Sequence, residues 1–346
     1  MKPDAAILTI AIPTYNRAAK LQAQLERLAP QLTTEVRLCV FDNASPDKTG
    51  EVVAQYPAAV YFRAPANGGP GRNIFRCFEE AATDWVWVLS DDDLVTPTAV
   101  MDLLAVLRSA TVDFVHTYSW TCPYSQAEVV ADLPSFLQRS NLSSLWWLTS
   151  GIYRMNSFRS RFRLYAEAMS TWGPHLVMTL SLLESGSGKI LLSPVRLTLP
   201  TTSPISWSTL GFLLRSSLVP EFLSRPEHQQ LVADRLILEF FNEFMLMGLR
   251  ETAGDQQIRK WHRIHFQVKR NLKSYGASGV GAYIFRNWHR PGYRQKSFQM
   301  FQQAVQVQLL SWCPTALFHA LAGRLPLSKD VRENYYAKRN DYIVPV

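Results

Sequence analysis

Trp85-Val86-Trp87-Val88-Leu89-Ser90-Asp91-Asp92-Asp93 is the stretch on which the reading of this chain turns. Five uncharged apolar residues suit a buried strand, and the chain then runs into a serine and three adjacent carboxylates. Such carboxylates repel one another unless something positive sits among them. A hard divalent cation that also bridges two phosphates is one solution. The other is an acidic helix start, capped by Asp93 ahead of Pro97, where negative charge suits the helix dipole. Taken alone, the residues leave both open.

Upstream, strands and helices alternate. Ile7 to Ile12 predicts a β-branched strand ending at Pro13, and Ala18 to Leu28 a helix with Leu21, Leu25 and Leu28 on one face. Val36 to Phe41 predicts a second strand, closed by the turn-forming Asp42 to Asp47; Thr49 to Gln55 a short helix; Val60 to Arg63 a third strand. Glycine-rich Asn67 to Gly71 leads into a helix from Arg72 to Ala82, the quoted strand follows, and Pro97 opens a helix carrying Val100, Leu103, Leu104 and Leu107. This alternation implies an α/β fold with a parallel sheet and helices on both faces, and ligands of such sheets gather beyond the carboxyl ends of the strands. Four polar clusters sit at those ends: Thr14 to Arg17, Asp42-Asn43, Asn67 to Arg72 and Ser90 to Asp93. The glycine signatures of dinucleotide-binding and phosphate-loop proteins are missing.

Further on, Asp113 to Tyr118 and Leu148 to Tyr153 predict strands, and Ser135 to Trp147 and Leu176 to Glu184 helices. Leu197 to Leu214 is uncharged, with Pro200, Pro204 and several Ser and Thr, and reads as a loop. Beyond Pro220 the pattern is helical, including Gln229 to Leu249, Gln256 to Ser274 and Phe298 to Leu310, so the expected modules are 1–220 and 221–346.

With 346 residues, 47% hydrophobic and 18% charged, the chain has ample core material, which excludes disorder, collagen-like repetition and a small disulfide scaffold. Cys39, Cys77, Cys122 and Cys313 lie far apart, indicating neither a zinc site nor a disulfide framework and fitting a reducing compartment. The N-terminal apolar run is too short for a signal sequence or a membrane span. The net charge of +8 is uneven: residues 250–346 hold sixteen Lys and Arg against five Asp and Glu. An anionic partner or a solvated basic face would each account for this.

The succession Ile10-Ala11-Ile12-Pro13-Thr14-Tyr15-Asn16-Arg17, Val40-Phe41-Asp42-Asn43-Ala44-Ser45, Asn67 to Asn73 and Leu89 to Pro97 closely resembles family 2 glycosyltransferases with the GT-A fold, over about the first 110 residues. The resemblance implies that Pro13, Thr14, Tyr15, Asn16 and Arg17, together with Asp42 and Asn43, hold the base and ribose of a nucleotide-sugar, and that Asn67 and Arg72 pack against the nucleotide and its phosphates. It implies that Ser90 and Asp91 face the donor and that Mn²⁺ or Mg²⁺ on the diphosphate is held by Asp92, supported by Asp93. Ser90 stands where many relatives have a first Asp. Asn43 replaces an acidic residue of some uridine-dependent relatives, leaving UDP, dTDP, GDP and CDP all open.

Relatives usually draw their general base from an acidic pair opening a helix. The matching stretch, Thr171-Trp172-Gly173-Pro174-His175, has no carboxylate, and His175 occupies the expected place, either as base or as a helix-start histidine bonded to backbone; a base supplied from elsewhere is the third reading. The loop Leu199 to Ser208 lacks the His that often completes the metal shell. Trp172 and Trp207 are candidate stacking surfaces for an acceptor sugar, the latter on a stretch that reads equally as a plain surface loop; Trp146 and Trp147 raise the same possibility, with core packing the simpler reading.

Arg259 to Lys273 and Arg286 to Arg290 mix cations with Trp261, Phe266 and Trp288, as interfacial helices do. The uncharged stretch Ser297 to Gly323 holds Pro314 and five Gln, which argues against spanning. No nucleic-acid-binding pattern is present. The expected protein is a metal-dependent, inverting glycosyltransferase acting on a glycan or lipid-linked glycan in bacterial surface-polysaccharide synthesis, such as that of O-antigen. It would be cytoplasmic and peripheral at the inner membrane through its C-terminal module, with oligomeric state open. A non-catalytic scaffold and a nucleotidyltransferase are the alternatives; the latter lacks a basic glycine-rich loop.

Overall fold

The computed structural model describes residues 6–119, 122–199, 212 and 215–240. The chain divides into two compact units, 1–203 and 204–346. In the second, the described residues form a 3-10 turn, Val219–Phe222, and a helix, Pro226–Phe240. Trp207 and the basic C-terminal segments lie outside the described residues.

The first unit is built on an eight-stranded sheet: β1 (Leu8–Thr14), β2 (Val36–Asp42), β3 (Ala59–Arg63), β4 (Trp85–Val88), β5 (Phe114–Thr117), β6 (Glu128–Val130), β7 (Gly151–Arg154) and β8 (Ile190–Ser193), in the order β3-β2-β1-β4-β7-β5-β8-β6. Its helices are α1 (Ala18–Leu28), α2 (Thr49–Val53), α3 (Pro70–Glu79), α4 (Ala99–Ser109), α5 (Leu133–Arg139), α6 (Leu142–Trp146), α7 (Met155–Phe158), α8 (Phe162–Glu167) and α9 (Pro174–Glu184).

The sheet is mostly parallel, as the GT-A resemblance implies, with β7 antiparallel between β4 and β5 and β6 antiparallel beside β8. One expectation needs correction: the single helix predicted over Ser135 to Trp147 is two, because the first ends at Ser140 in extended backbone and Asn141 caps the next, its side chain accepting from Ser144 N at 2.7 Å.

Side-chain alternation assigns the two faces of the sheet. Leu8, Ile10 and Ile12 of β1, Val115 of β5 and Ile152 of β7 join Leu21, Leu25 and Leu28 of α1 and Leu103, Leu104 and Leu107 of α4 in one apolar cluster. The alternate positions Phe114 and Tyr153 meet Phe78 and Phe158 in aromatic packing, which continues to Phe75 and Tyr165. Burial on both faces fixes the register. In that register Thr14 pairs with Asp42 and Ala11 with Val88, so β1, β2 and β4 release their following loops at the same end of the sheet.

Candidate active site

The loop after β4 joins that end to α1. Thr14 Oγ1 donates to Asp91 Oδ2 at 2.8 Å, and Arg17 Nη1 donates to Asp91 Oδ1 at 2.9 Å and to Asp92 Oδ2 at 3.3 Å. Lys20 Nζ lies 3.0 Å from the same Asp92 oxygen, and Ser90 Oγ donates to Asp92 Oδ1 at 2.7 Å. Asp93 turns away: its Oδ2 accepts from Trp147 Nε1 and Thr149 Oγ1, both at 2.6 Å. Buried Gln24 of α1 holds the loop, its Nε2 donating to Asp93 O at 2.8 Å and Ser90 O at 3.2 Å while its Oε1 accepts from Val95 N at 3.2 Å.

The three adjacent carboxylates therefore differ electrostatically. Burial raises the Asp91 carboxyl, opposed by the Arg17 charge and the Thr14 hydroxyl. Burial also opposes ionisation of Asp92, yet the Ser90 and Lys20 hydrogen bonds and the Arg17 charge hold it below the usual range. Asp93 is pushed up to about 6 by burial, partly offset by Thr149 and Trp147.

At the end of β2, Asp42 is fully buried; it accepts from Ser45 N at 2.8 Å, from Tyr61 O–H at 2.6 Å and from Arg63 Nη1 at 3.3 Å. Asn43 Nδ2 donates to Asn67 Oδ1 at 2.7 Å and Gly69 O at 3.2 Å, while its Oδ1 accepts from Gly68 N at 3.0 Å. The Asn43 amide thus clamps the glycine-rich loop onto the β2 turn. Arg72 lies beside Gly68 and forms an exposed pair with Glu79 at 2.6 Å, and its neighbour Asn73 is buried and donates to Phe41 O at 2.7 Å. Tyr15 is exposed beside Pro13, and Asn16 N donates to Ser45 Oγ at 2.9 Å. Among the described residues, the non-glycine residues with positive φ are Asn16, Ala44 and Trp172, and each belongs to one of the loops singled out from the sequence. Strained backbone of this kind is concentrated at functional sites.

His175 is buried, with Nε2 3.0 Å from Trp146 O, and burial pulls its pKa down to about 4 against the Trp146 and Leu145 backbone contacts. The ring faces backbone. Half-exposed Trp172 is held by its own carbonyl, which accepts from Trp146 Nε1 at 3.1 Å. Trp147 is a correction of another kind: read as core, it is a ligand of Asp93. Lys20, Gln24 and Thr149 were not singled out from the sequence. For Gln24, the signal was a polar residue on the apolar face of a helix; Lys20 and Thr149 had none, because their partners are distant in the chain.

No group of three or more His, Cys, Asp or Glu side chains converges in metal-binding geometry among the described residues: Asp91 and Asp92 meet at Arg17 Nη1, and Asp93 is turned to Trp147 and Thr149. A divalent cation nevertheless fits here. The Asp92 side chain keeps 18% exposure against 3% for Asp91, and Mg²⁺-type sites often use one or two carboxylates with the remaining ligands from phosphates and water.

A mixed, mostly parallel sheet with these loops at its carboxyl ends defines a GT-A-like α/β fold. Residues 9–162 match the family model for Glycosyl transferase family 2. Abequosyltransferase RfbV of Salmonella typhimurium is 31% identical over 111 residues, covering 30% of this chain and 32% of that protein. An uncharacterized glycosyltransferase of Haemophilus influenzae is 28% identical over 114 residues, 32% of this chain and 38% of that one. These matches span little more than a third of the curated relatives' length. Among solved structures, S. aureus TarS 1–349 in complex with UDP-GlcNAc has a TM-score of 0.61 at 16% identity, covering 88% of this chain and 90% of that one. The mannosyltransferase PcManGT of Pyrobaculum calidifontis, in complex with GDP-Man and Mn²⁺, has a TM-score of 0.50 at 12% identity, covering 90% of each chain. At these identities the likeness establishes the fold.

Proposed function

We propose that the protein transfers a sugar, with inversion, from a nucleotide-sugar donor to a glycan or lipid-linked glycan acceptor, with Mn²⁺ or Mg²⁺ on the donor diphosphate. The observation that carries this reading is the convergence of Thr14, Arg17 and Lys20 on Asp91 and Asp92 where β1 and β4 end. A bound cation would supply charge stabilisation to the departing nucleoside diphosphate. Asp92 would hold it, Asp91 would keep Arg17 aimed at the donor, and Asp93, anchored by Trp147 and Thr149, would fix the loop. Tyr15, Asn16, Asn43 and Asn67 would border the nucleoside, and Trp172 would offer its exposed face to an acceptor ring. That TarS is solved with UDP-GlcNAc and PcManGT with GDP-Man and Mn²⁺ supports a nucleotide-sugar donor, with base and sugar left open.

A thermal-shift panel of UDP, GDP, CDP and dTDP with Mn²⁺ tests the reading, since a ligand that binds only the native state raises its stability. One nucleotide is expected to stabilise the wild type in a metal-dependent way, and Asp92→Asn is expected to lose that effect, with a modest loss of stability in the empty protein because Arg17 and Lys20 lose the carboxylate they share. Unchanged metal-dependent donor turnover in Asp92→Asn would remove Asp92 from the role. The second reading, a donor-binding scaffold without turnover, is favoured by the absence of a carboxylate from 171–175 and the burial of His175. Nucleotide release from donor in the presence of metal and acceptor separates the two.

A further inference from the structure

We propose that Lys20 is a donor-binding residue that occupies the cation's place at Asp92 while the site is empty and moves onto the donor diphosphate when metal and donor arrive together. This rests on the nucleotide-sugar reading above and adds to it a residue and an order of events.

The argument begins with one carboxylate oxygen. Asp92 Oδ2 accepts from Lys20 Nζ at 3.0 Å and from Arg17 Nη1 at 3.3 Å, while Oδ1 takes the Ser90 hydroxyl at 2.7 Å. Two cations on one oxygen repel each other, and they persist because Asp91, Asp92 and Asp93 lie together in the same loop. A divalent cation approaching Asp92 alone meets both of them. One must leave, and the structure distinguishes which. Arg17 is also bound to Asp91 at 2.9 Å, and Asp91, with a side chain 3% exposed, would lose its cationic partner in a buried place if Arg17 moved. Lys20 has no such second tie among the described residues; its side chain is 34% exposed and ends in a compact, rotatable ammonium.

Lys20 lies three residues after Arg17 in the first turn of α1, so the two side chains leave the helix start on neighbouring paths. The Ala18 backbone N–H at that start is taken by Asp47 Oδ2 at 2.9 Å, and Arg17 and Lys20 add side-chain cations to the anion-attracting end of the helix. A diphosphate bridged to a metal on Asp92 brings its negative charge within reach of the displaced ammonium. Metal without diphosphate removes the partner of Lys20 and gives it none in exchange. Metal and nucleotide should therefore bind far better together than separately, with Lys20 as the coupling element.

The test uses the full chain as wild type, Lys20→Met and Lys20→Arg, with melting temperature confirming that each is folded. Mn²⁺ binding is followed by electron paramagnetic resonance without nucleotide, then binding of the nucleoside diphosphate that most stabilises the wild type, at saturating Mn²⁺. Lys20→Met is expected to bind Mn²⁺ alone at least about fivefold more tightly and the diphosphate at least about fivefold more weakly, the lower end of ordinary coupling between sites. Lys20→Arg, which keeps the charge, is expected to retain weak Mn²⁺ binding in the absence of nucleotide. If the wild type binds a nucleoside diphosphate with Mn²⁺ but Lys20→Met leaves either affinity unchanged, the Lys20 role is overturned and the site reading stands. If the wild type binds no nucleoside diphosphate with Mn²⁺, both are overturned.

Discussion

His175 opens α9 with its ring closed off from solvent and turned to the Trp146 carbonyl, and Trp147, the next residue, holds Asp93. A base must reach the proton it removes, so this placement suits a positioning residue for the 146–147 segment. Its pKa, lowered by burial to about 4, also makes a stability claim. Unfolded histidine titrates near 6.5, so between about pH 6.5 and 4 the unfolded chain binds the extra proton. Stability contributed by the neutral ring is present above that window and is lost as pH falls through it. His116, fully buried and lowered by burial to about 3, acts in the same direction. Melting temperature is therefore expected to drop as pH is lowered from 6.5 to 4, and His175→Gln, which keeps a donor for the Trp146 carbonyl, is expected to flatten part of that slope. The same variant should retain most of its transfer activity between pH 6 and 9, whereas loss of a general base would cost on the order of 10²- to 10⁴-fold.

The loop after β4 is held by α1 on one side and by the segment before β7 on the other. Gln24 is fully buried, and replacing it with Met keeps the volume while leaving the Asp93 carbonyl and the Val95 N–H without their side-chain partner. Buried groups left unpaired cost about 1 to 3 kcal/mol, so denaturant titration of Gln24→Met should register a loss of that order, with weakened metal-dependent nucleotide binding because Asp92 shares the loop. Trp147→Phe removes one of the two donors to Asp93 and is expected to raise its pKa further above 6, readable by carboxyl-selective NMR titration. The elements were largely legible in the sequence, because periodicity and turn residues act locally: Ala18–Leu28 was bounded as observed, and β1, β2 and β4 within two residues at each end. Strand direction was not legible. Gly151–Arg154 is apolar whichever way it runs, and its antiparallel placement follows from partners on β4 and β5. In the site, the carboxylates and the turn residues announced themselves by type and spacing, whereas Lys20, Gln24 and Trp147 acquire their roles through contacts 54 to 72 residues away in sequence.

For the whole molecule, charge separates the chain more sharply than composition does. Residues 250–346 carry sixteen Lys and Arg against five Asp and Glu, and residues 1–249 carry twenty against twenty-three. Trp261, Phe266 and Trp288 stand among the C-terminal cations. No helix among the described residues is long and apolar enough to cross a membrane. Surface charge with aromatic insertion is the attachment to a lipid surface that the C-terminal sequence offers. Each Lys or Arg near an anionic leaflet adds up to about 1 kcal/mol, and salt screens the attraction over roughly 8 to 10 Å at 0.1 to 0.15 M. Full-length protein is therefore expected to co-sediment with liposomes containing phosphatidylglycerol at low salt and to be released at high salt. Replacing Arg259, Lys260, Arg263, Lys269, Arg270 and Lys273 with Gln should shift binding to the supernatant without altering nucleotide-dependent thermal stabilisation, because the proposed donor site lies between β1 and β4. Protein that stays in the supernatant at low salt would turn the basic segment towards an anionic glycan or a protein partner, and the lipid-linked acceptor would then lose its physical support in this chain.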